Sequence, residues 1–318
     1  MDQTWKGAAK RRAARRPALL VVSLLTAFSL TVGASSSAFA AARDDGTPAQ
    51  SMGTADAVTS SATGATALFW NPAGMSRLQQ YAVATSYAFS NATSGHAVTF
   101  GAADSATNPA VALGATYTYL TSKVGGATRK GHDVRFGFSS GFRGQDFSLF
   151  VGAAGRYDTI VVGRKDTAGN AENDDANFFT VDAGLILQVG QMFRLGFAAQ
   201  NLVDTKAVTE APRRLRVGAG LQLDTLDLTF DTDIDLQSKP ADGGEGPVLS
   251  YAAGAQYLIA QVVVARAGFR YDGLAQNRRL TLGVGYVSRT FGVDVGFAQS
   301  LDQGSDTALT VGLTGFLP

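Results

Sequence analysis

Residues 226–236 read Leu-Asp-Leu-Thr-Phe-Asp-Thr-Asp-Ile-Asp-Leu. Leu226, Leu228, Phe230, Ile234 and Leu236 share one parity; Asp227, Thr229, Asp231, Asp233 and Asp235 share the other. An extended chain points successive side chains to opposite faces, so this stretch is a strand with one oily face and one carboxylate face. A helix, with a period of 3.6, would mix the two sets around its circumference. The two faces must therefore meet different surroundings.

The same alternation recurs on both sides of this strand. Val134, Phe136, Phe138 and Phe142 oppose Arg135, Gly137, Ser139 and Gly141, and Leu215, Val217, Ala219 and Leu221 oppose Arg214, Arg216, Gly218 and Gly220. Phe193, Leu195 and Phe197 oppose Arg194 and Gly196; Val263, Phe269 and Tyr271 oppose Arg266, Gly268 and Arg270. Such runs predict fourteen strands, near residues 80–90, 95–102, 110–121, 132–142, 146–158, 177–189, 191–201, 213–223, 225–237, 248–259, 262–271, 278–288, 291–299 and 307–317. Most bracket the ~9–11 residues of a tilted strand that crosses a bilayer. Strands of a soluble sandwich are usually nearer ~5–6.

Connection lengths point the same way. Gly190, Asp224, Ala260-Gln261 and Arg289-Thr290 mark tight even-to-odd turns, whereas Thr159 to Ala176, Leu202 to Pro212 and Ser238 to Pro247 are long and polar. Outer-membrane barrels carry short turns on the periplasmic rim and longer loops outside. The stretch from Ala103 to Asn108 is longer than a short-rim turn should be.

Composition fits a barrel that spans a membrane. Of 318 residues, 45% are hydrophobic and 17% charged, with 37 glycines and no cysteine; soluble domains average ~25% charged. A closed barrel satisfies every backbone polar group without leaving an edge, and lipid takes the apolar face. The inner face would then hold Arg135, Arg194, Arg214, Arg216, Arg266 and Arg270 with Asp182, Asp227, Asp231, Asp233, Asp235 and Asp294. That set reads as a network filling the lumen or as a charged track for a passenger.

Ahead of the barrel, Lys6, Lys10, Arg11, Arg12, Arg15 and Arg16 precede an apolar stretch from Ala18 to Val32 and the small-residue end Ala38-Phe39-Ala40. This is the pattern of an export signal over 1–40, cleaved between Ala40 and Ala41. Its removal leaves 21 basic and 25 acidic residues, a net charge of −4. Such a chain lacks the basic surface that nucleic acid demands.

Between signal and barrel, residues 41–78 carry Ser51-Met52-Gly53-Thr54-Ala55-Asp56 and then Leu68-Phe69-Trp70-Asn71-Pro72-Ala73-Gly74-Met75-Ser76. Asn71-Pro72 suits a turn, and Gly74 allows close approach or a positive φ. This segment resembles the N-terminal region of FadL-like long-chain fatty acid transporters and of related PorV/PorQ-type outer-membrane barrels, where Asn-Pro-Ala-Gly precedes the first strand. Weaker echoes include Ala198-Ala199-Gln200-Asn201-Leu202 and Gly283-Val284-Gly285-Tyr286. The resemblance implies an all-β, 14-stranded transmembrane barrel over 79–318, with 41–78 folded inward as a plug or hatch. Phe69, Trp70, Asn71, Pro72, Gly74 and Met75 are then the plug motif, with Phe69 and Trp70 either anchoring it or touching a hydrophobic passenger. One departure is the C-terminus, where Phe316 lies off the parity of Leu309, Val311 and Leu313 and is followed by Leu317-Pro318.

No enzyme site is expected. His96 and His132 lack metal-ligand or triad spacing, and there is no phosphate-binding loop. The cluster from Asp166 to Asn177 reads as a solvated loop rather than a calcium site. No cofactor, metal or catalytic residue is expected. The expected partners are outer-membrane lipid, the assembly machinery of that membrane and a hydrophobic small molecule. Function is expected to be passive passage of hydrophobic, fatty acid-like molecules across the outer membrane; the alternative is a PorV-like non-transporting barrel that docks a protein partner in secretion.

Overall fold

Fourteen antiparallel strands close into a barrel in the computed structural model, each pairing with its sequence neighbours and the first pairing with the last. They are β1 (Tyr81–Ser90), β2 (Gly95–Asp104), β3 (Val111–Val124), β4 (Ala127–Arg143), β5 (Phe147–Lys165), β6 (Ala171–Val189) and β7 (Phe193–Gln200). They continue with β8 (Arg214–Leu223), β9 (Leu226–Asp235), β10 (Val248–Ile259), β11 (Val263–Asp272), β12 (Asn277–Val287), β13 (Phe291–Ser300) and β14 (Thr307–Leu317). The structure describes residues 47–108, 110–124, 127–165, 171–203, 211–239, 246–302 and 306–317, excepting the side chains of 124, 164, 165 and 171–174. The expected signal and its cleavage at Ala40 and Ala41 lie outside them.

Parity decides what each face meets. On β4, Phe136, Phe138 and Phe142 are 53–61% exposed, while Asp133, Arg135 and Ser139 on the other parity are buried. The same inversion holds on β12, where Leu282 is 58% exposed and its neighbour Thr281 is buried. An apolar surface wrapped around a closed cylinder is stable only against hydrocarbon, where an outward Arg would cost ~2–4 kcal/mol at mid-depth. Aromatic rings border this surface. Tyr87 and Tyr117 hold His96 and His132 at 2.6 and 2.8 Å near the long-loop rim, and Tyr286 packs on Phe291 at the other. Amphipathic rings at both edges are the pattern of membrane interfaces.

Short-rim turns are built as their residues dictate. Gly190, Asp224, Ala260 and Gln261 all take positive φ, the conformation that matches the twist of a two-residue hairpin. The longer 105–110 connection is closed locally. Asp104 accepts the Ala106 and Thr107 amides, and Ser105 bonds to Leu78 and Gln80 ahead of β1.

Two expectations need correction. The stretch 159–176, expected as a loop, is largely strand: β5 runs to Lys165 and β6 begins at Ala171, so Asn173-Asp174-Asp175 pair with Gly163-Val162-Val161. His132 likewise lies within β4 rather than at its start. Past the bilayer both faces of a strand meet water, so ladder pairing continues after the apolar alternation has ended. At the C-terminus β14 runs regularly through Leu317, and Phe316, off the parity of Leu309, Val311 and Leu313, pairs with Ala82 and turns inward while Leu317 faces out.

Candidate functional site

Thr47 to Arg77 lies inside the barrel. A short helix, α1 (Ala49–Gly53), is followed by two 3₁₀ turns, Ala65–Phe69 and Pro72–Ser76. The segment runs from β13 past β11 to β7, meets β2 at Ala65 and returns to β5 at Pro72, and inward glycines receive it along the way. A Cβ on Gly296 of β13 would stand 2.6 Å from Ala49 O, one on Gly268 of β11 2.7 Å from Ala55 N, and one on Gly196 of β7 2.3 Å from Thr59 O. On β5, a Cβ on Gly152 would meet Pro72 at 2.6 Å. These glycines, which alternation alone reads as empty lumen, are the track in which the segment sits.

Asn71 fixes the far end of this track. It is fully buried, its Nδ2 donating to Thr59 O at 2.8 Å and toward the Leu185 and Phe197 carbonyls at 3.2 and 3.3 Å, and its Oδ1 accepting Ala73 N. Asn71 thus caps the turn that Pro72 begins. Gly74 serves close approach, since a Cβ there would lie 2.4 Å from Ala62 O. Met75 packs with Leu68, Ala62, Ala67, Ala112 and Ala154. Phe69 and Trp70 lie beneath guanidinium groups, Arg135 at 4.5 Å and Arg216 at 4.6 Å from their ring centroids. Such cation–π contacts let oily rings sit in a charged lumen.

The interior charges are paired. Arg216 meets Asp231 at 3.5 Å, Arg266 meets Asp294 at 2.6 Å, and Arg194 bonds Asp227. Arg270 lies between Asp233 and Asp56 at 3.7 and 3.8 Å, and Arg214 is 3.9 Å from Asp235. Asp182 accepts Asn201 N. Several pairs reach across an intervening strand because that strand offers a glycine. Arg194 of β7 crosses Gly220 of β8, and Arg266 of β11 crosses Gly285 of β12, where a Cβ would stand 2.3 Å from Asp294 Oδ1.

One further cluster lies largely outside the charges expected in the lumen. Asp133 accepts from Arg135 at 2.9 Å and from Arg156 at 2.8 Å, while Arg156 also pairs Asp158 at 2.7 Å. The Arg135 guanidinium donates onward to Leu68 O, tying the cluster to the inner segment. The signal was available: Asp133 shares the parity of Arg135, and the register sets Asp133 opposite Asp158 and Arg135 opposite Arg156.

Among the described residues, spaces remain beside the segment. The larger, about 410 Å³, lies toward the short-turn rim and is lined by Trp70, Arg77, Arg194, Gln256, Arg266 and Phe316 among others. The smaller, about 40 Å³, touches Phe69, Ala84, Gly101, Thr116 and Gly312. Pro48, Gln50, Ala65, Thr66, Ala84 and Thr314 border both. Both spaces touch the β14–β1 wall at Ala84 and Thr314, and the larger continues past Phe316 to Arg194, Asp227, Gln256, Arg266 and Val287 on β7 and β9–β12.

Neither a protein-family model nor a curated protein matches the chain. Solved structures do. The chain superposes on the CymD monoaromatic hydrocarbon channel with a TM-score of 0.64 at 15% identity, over 86% of this chain and 98% of that one. It superposes on a Pseudomonas aeruginosa FadL homologue with a TM-score of 0.61 at 13% identity, over 85% and 98%. For the Pseudomonas putida toluene transporter TodX the values are 0.59 and 12%, over 86% and 98%. At these identities the likeness establishes a shared fold.

Proposed function

We propose that the protein is an outer-membrane barrel for passive passage of hydrophobic small molecules, with residues 47–77 controlling the lumen. The observation that carries this is the free space beside the inner segment, bordered by Phe69 in one chamber and Trp70 in the other. Those two rings are the large aromatic groups that the inner segment places in a lumen otherwise walled by paired charges. Support also comes from the fold shared with channels whose names specify hydrocarbon or toluene transport. Architecture alone does not assign a passenger.

The test is binding of fluorescent long-chain acids and of toluene-like probes to the purified barrel, followed by uptake into vesicles that contain it. Saturable binding that weakens about tenfold or more in Trp70→Ala and Phe69→Ala supports passage, by analogy with the loss of a buried aromatic contact. Absence of binding to every probe, together with co-purification of a protein partner, would replace it with the docking alternative.

A further inference from the structure

On the lipid-facing parity, β2 to β4 change chemistry as they approach the long-loop rim. Phe100, Tyr117 and Val134 form one cross-strand row, and Val98, Tyr119 and His132 the next. The row beyond is His96, Thr121 and Lys130, and past it Lys123 faces Thr128. Lys123, Lys130 and both histidines are exposed. A tyrosine hydroxyl takes Nδ1 of each histidine, Tyr87 on His96 at 2.6 Å and Tyr117 on His132 at 2.8 Å. Nε2 is therefore the ring nitrogen left open on both.

Charge at this place is unbalanced. Lys123 and Lys130 are diagonal neighbours on one face of an antiparallel pair, a spacing of ~7–8 Å. Neither meets a carboxylate among the described residues. The exposed Asp175 of β6 shares a row with Lys130 but stands two strands away, across Val161. Elsewhere on the same rim an outward cation is matched in place, since Arg278 of β12 donates to Asp302 at 3.0 Å. Like charges held this close repel, so an anion from outside the chain would stabilise them.

Depth narrows what that anion is. Tyrosines mark the edge of the hydrocarbon. From Tyr119 to Lys123 a strand tilted by ~40° climbs about 10 Å, and lysine stems bend back toward the interface. Both ammonium groups thus reach the layer of lipid head groups, where the anion is phosphate. Two ammonium groups match the ~−1.5 to −2 charge of a phosphomonoester better than the single charge of a phosphodiester.

We infer that the outward face of β2–β4 docks a lipid of the external leaflet through a phosphomonoester head group. Lys123 and Lys130 hold the phosphate, the Thr121 hydroxyl and the histidine Nε2 atoms flank it, and the acyl chains lie along Phe100, Tyr117 and Val134. The assignment goes beyond passage through the lumen and is independent of the passenger.

Native mass spectrometry of the full barrel in neutral detergent tests it, with three lipids of identical chains: dioleoyl phosphatidate, dioleoyl phosphatidylglycerol and dioleoyl phosphatidylcholine. Half-occupancy by phosphatidate is expected at about one tenth of the phosphatidylcholine concentration or less, with phosphatidylglycerol between them. Replacing both lysines, Lys123→Gln with Lys130→Gln, should bring phosphatidate to the level of phosphatidylcholine. Lys123→Arg with Lys130→Arg should keep the preference, and Arg278→Gln, at the same rim, should leave it unchanged. Equal occupancy of the wild-type barrel by phosphatidate and phosphatidylcholine overturns the inference, as does a preference that survives loss of both lysines. Inorganic phosphate retained with the same dependence on the lysines would make this a site for the free anion and overturn the lipid as its occupant.

Discussion

Asn71 shows how much one side chain can organise. Its amide ties Thr59, in the middle of the inner segment, and Ala73, near its end, to the carbonyls of β6 and β7. Buried carbonyls that lose their donor keep the full cost of desolvation, about 1–3 kcal/mol. Asn71→Ala should therefore loosen the segment without opening the barrel. Trypsin cleavage after Arg77 is expected to accelerate while heat-modifiable mobility persists; cleavage unchanged from wild type would show that Asn71 does not hold the segment. At this scale the sequence is readable wherever parity suffices. Arg216 and Asp231 are assigned inward from alternation alone, and the structure pairs them. The Asp133–Arg156–Asp158 cluster needs the pairing of β4 with β5 to become visible, because Asp133 is more than twenty positions from Arg156 and Asp158 in the chain.

Among elements, glycine has two uses that a one-dimensional pattern does not separate. Gly220 and Gly285 make room for ion pairs that bridge alternate strands, whereas Gly152, Gly184 and Gly196 receive the inner segment. Both look identical in sequence, as a small residue on the charged parity. Gly184 gives the sharper test, because a Cβ there would fall 1.9 Å from Asn71 Oδ1. Gly184→Val should push the segment off the β5–β6 wall and raise ion conductance in planar bilayers several-fold, as an unseated occupant leaves a water-filled lumen. Gly312→Ala, whose added Cβ would meet only an ordinary contact at 3.5 Å, is the control and should conduct like wild type. Equal conductance of the two variants would mean that the segment is not what fills the lumen. Strand number and the short-rim turns were readable from alternation, but the extensions of β5 and β6 were not, since a strand wet on both faces carries no periodic signal.

For the whole molecule, the account depends on where each parity points. Closure through β1 and β14 leaves no sheet edge, and each of the fourteen strands contributes large apolar side chains to the outer surface. Two stacked sheets could show the same alternation, but would hide those side chains between them. The absence of cysteine in the chain makes the distinction directly measurable, because each introduced thiol is unique. Nitroxide labels placed singly at positions 227–234 of β9, in barrels reconstituted in lipid bilayers, report contact with dissolved oxygen, which concentrates in hydrocarbon. Accessibility should alternate with period two, high at Leu228 and Phe230 and low at Thr229 and Asp231. Low oxygen contact at Leu228 and Phe230, or a maximum at Asp231, would contradict the barrel and everything placed inside it.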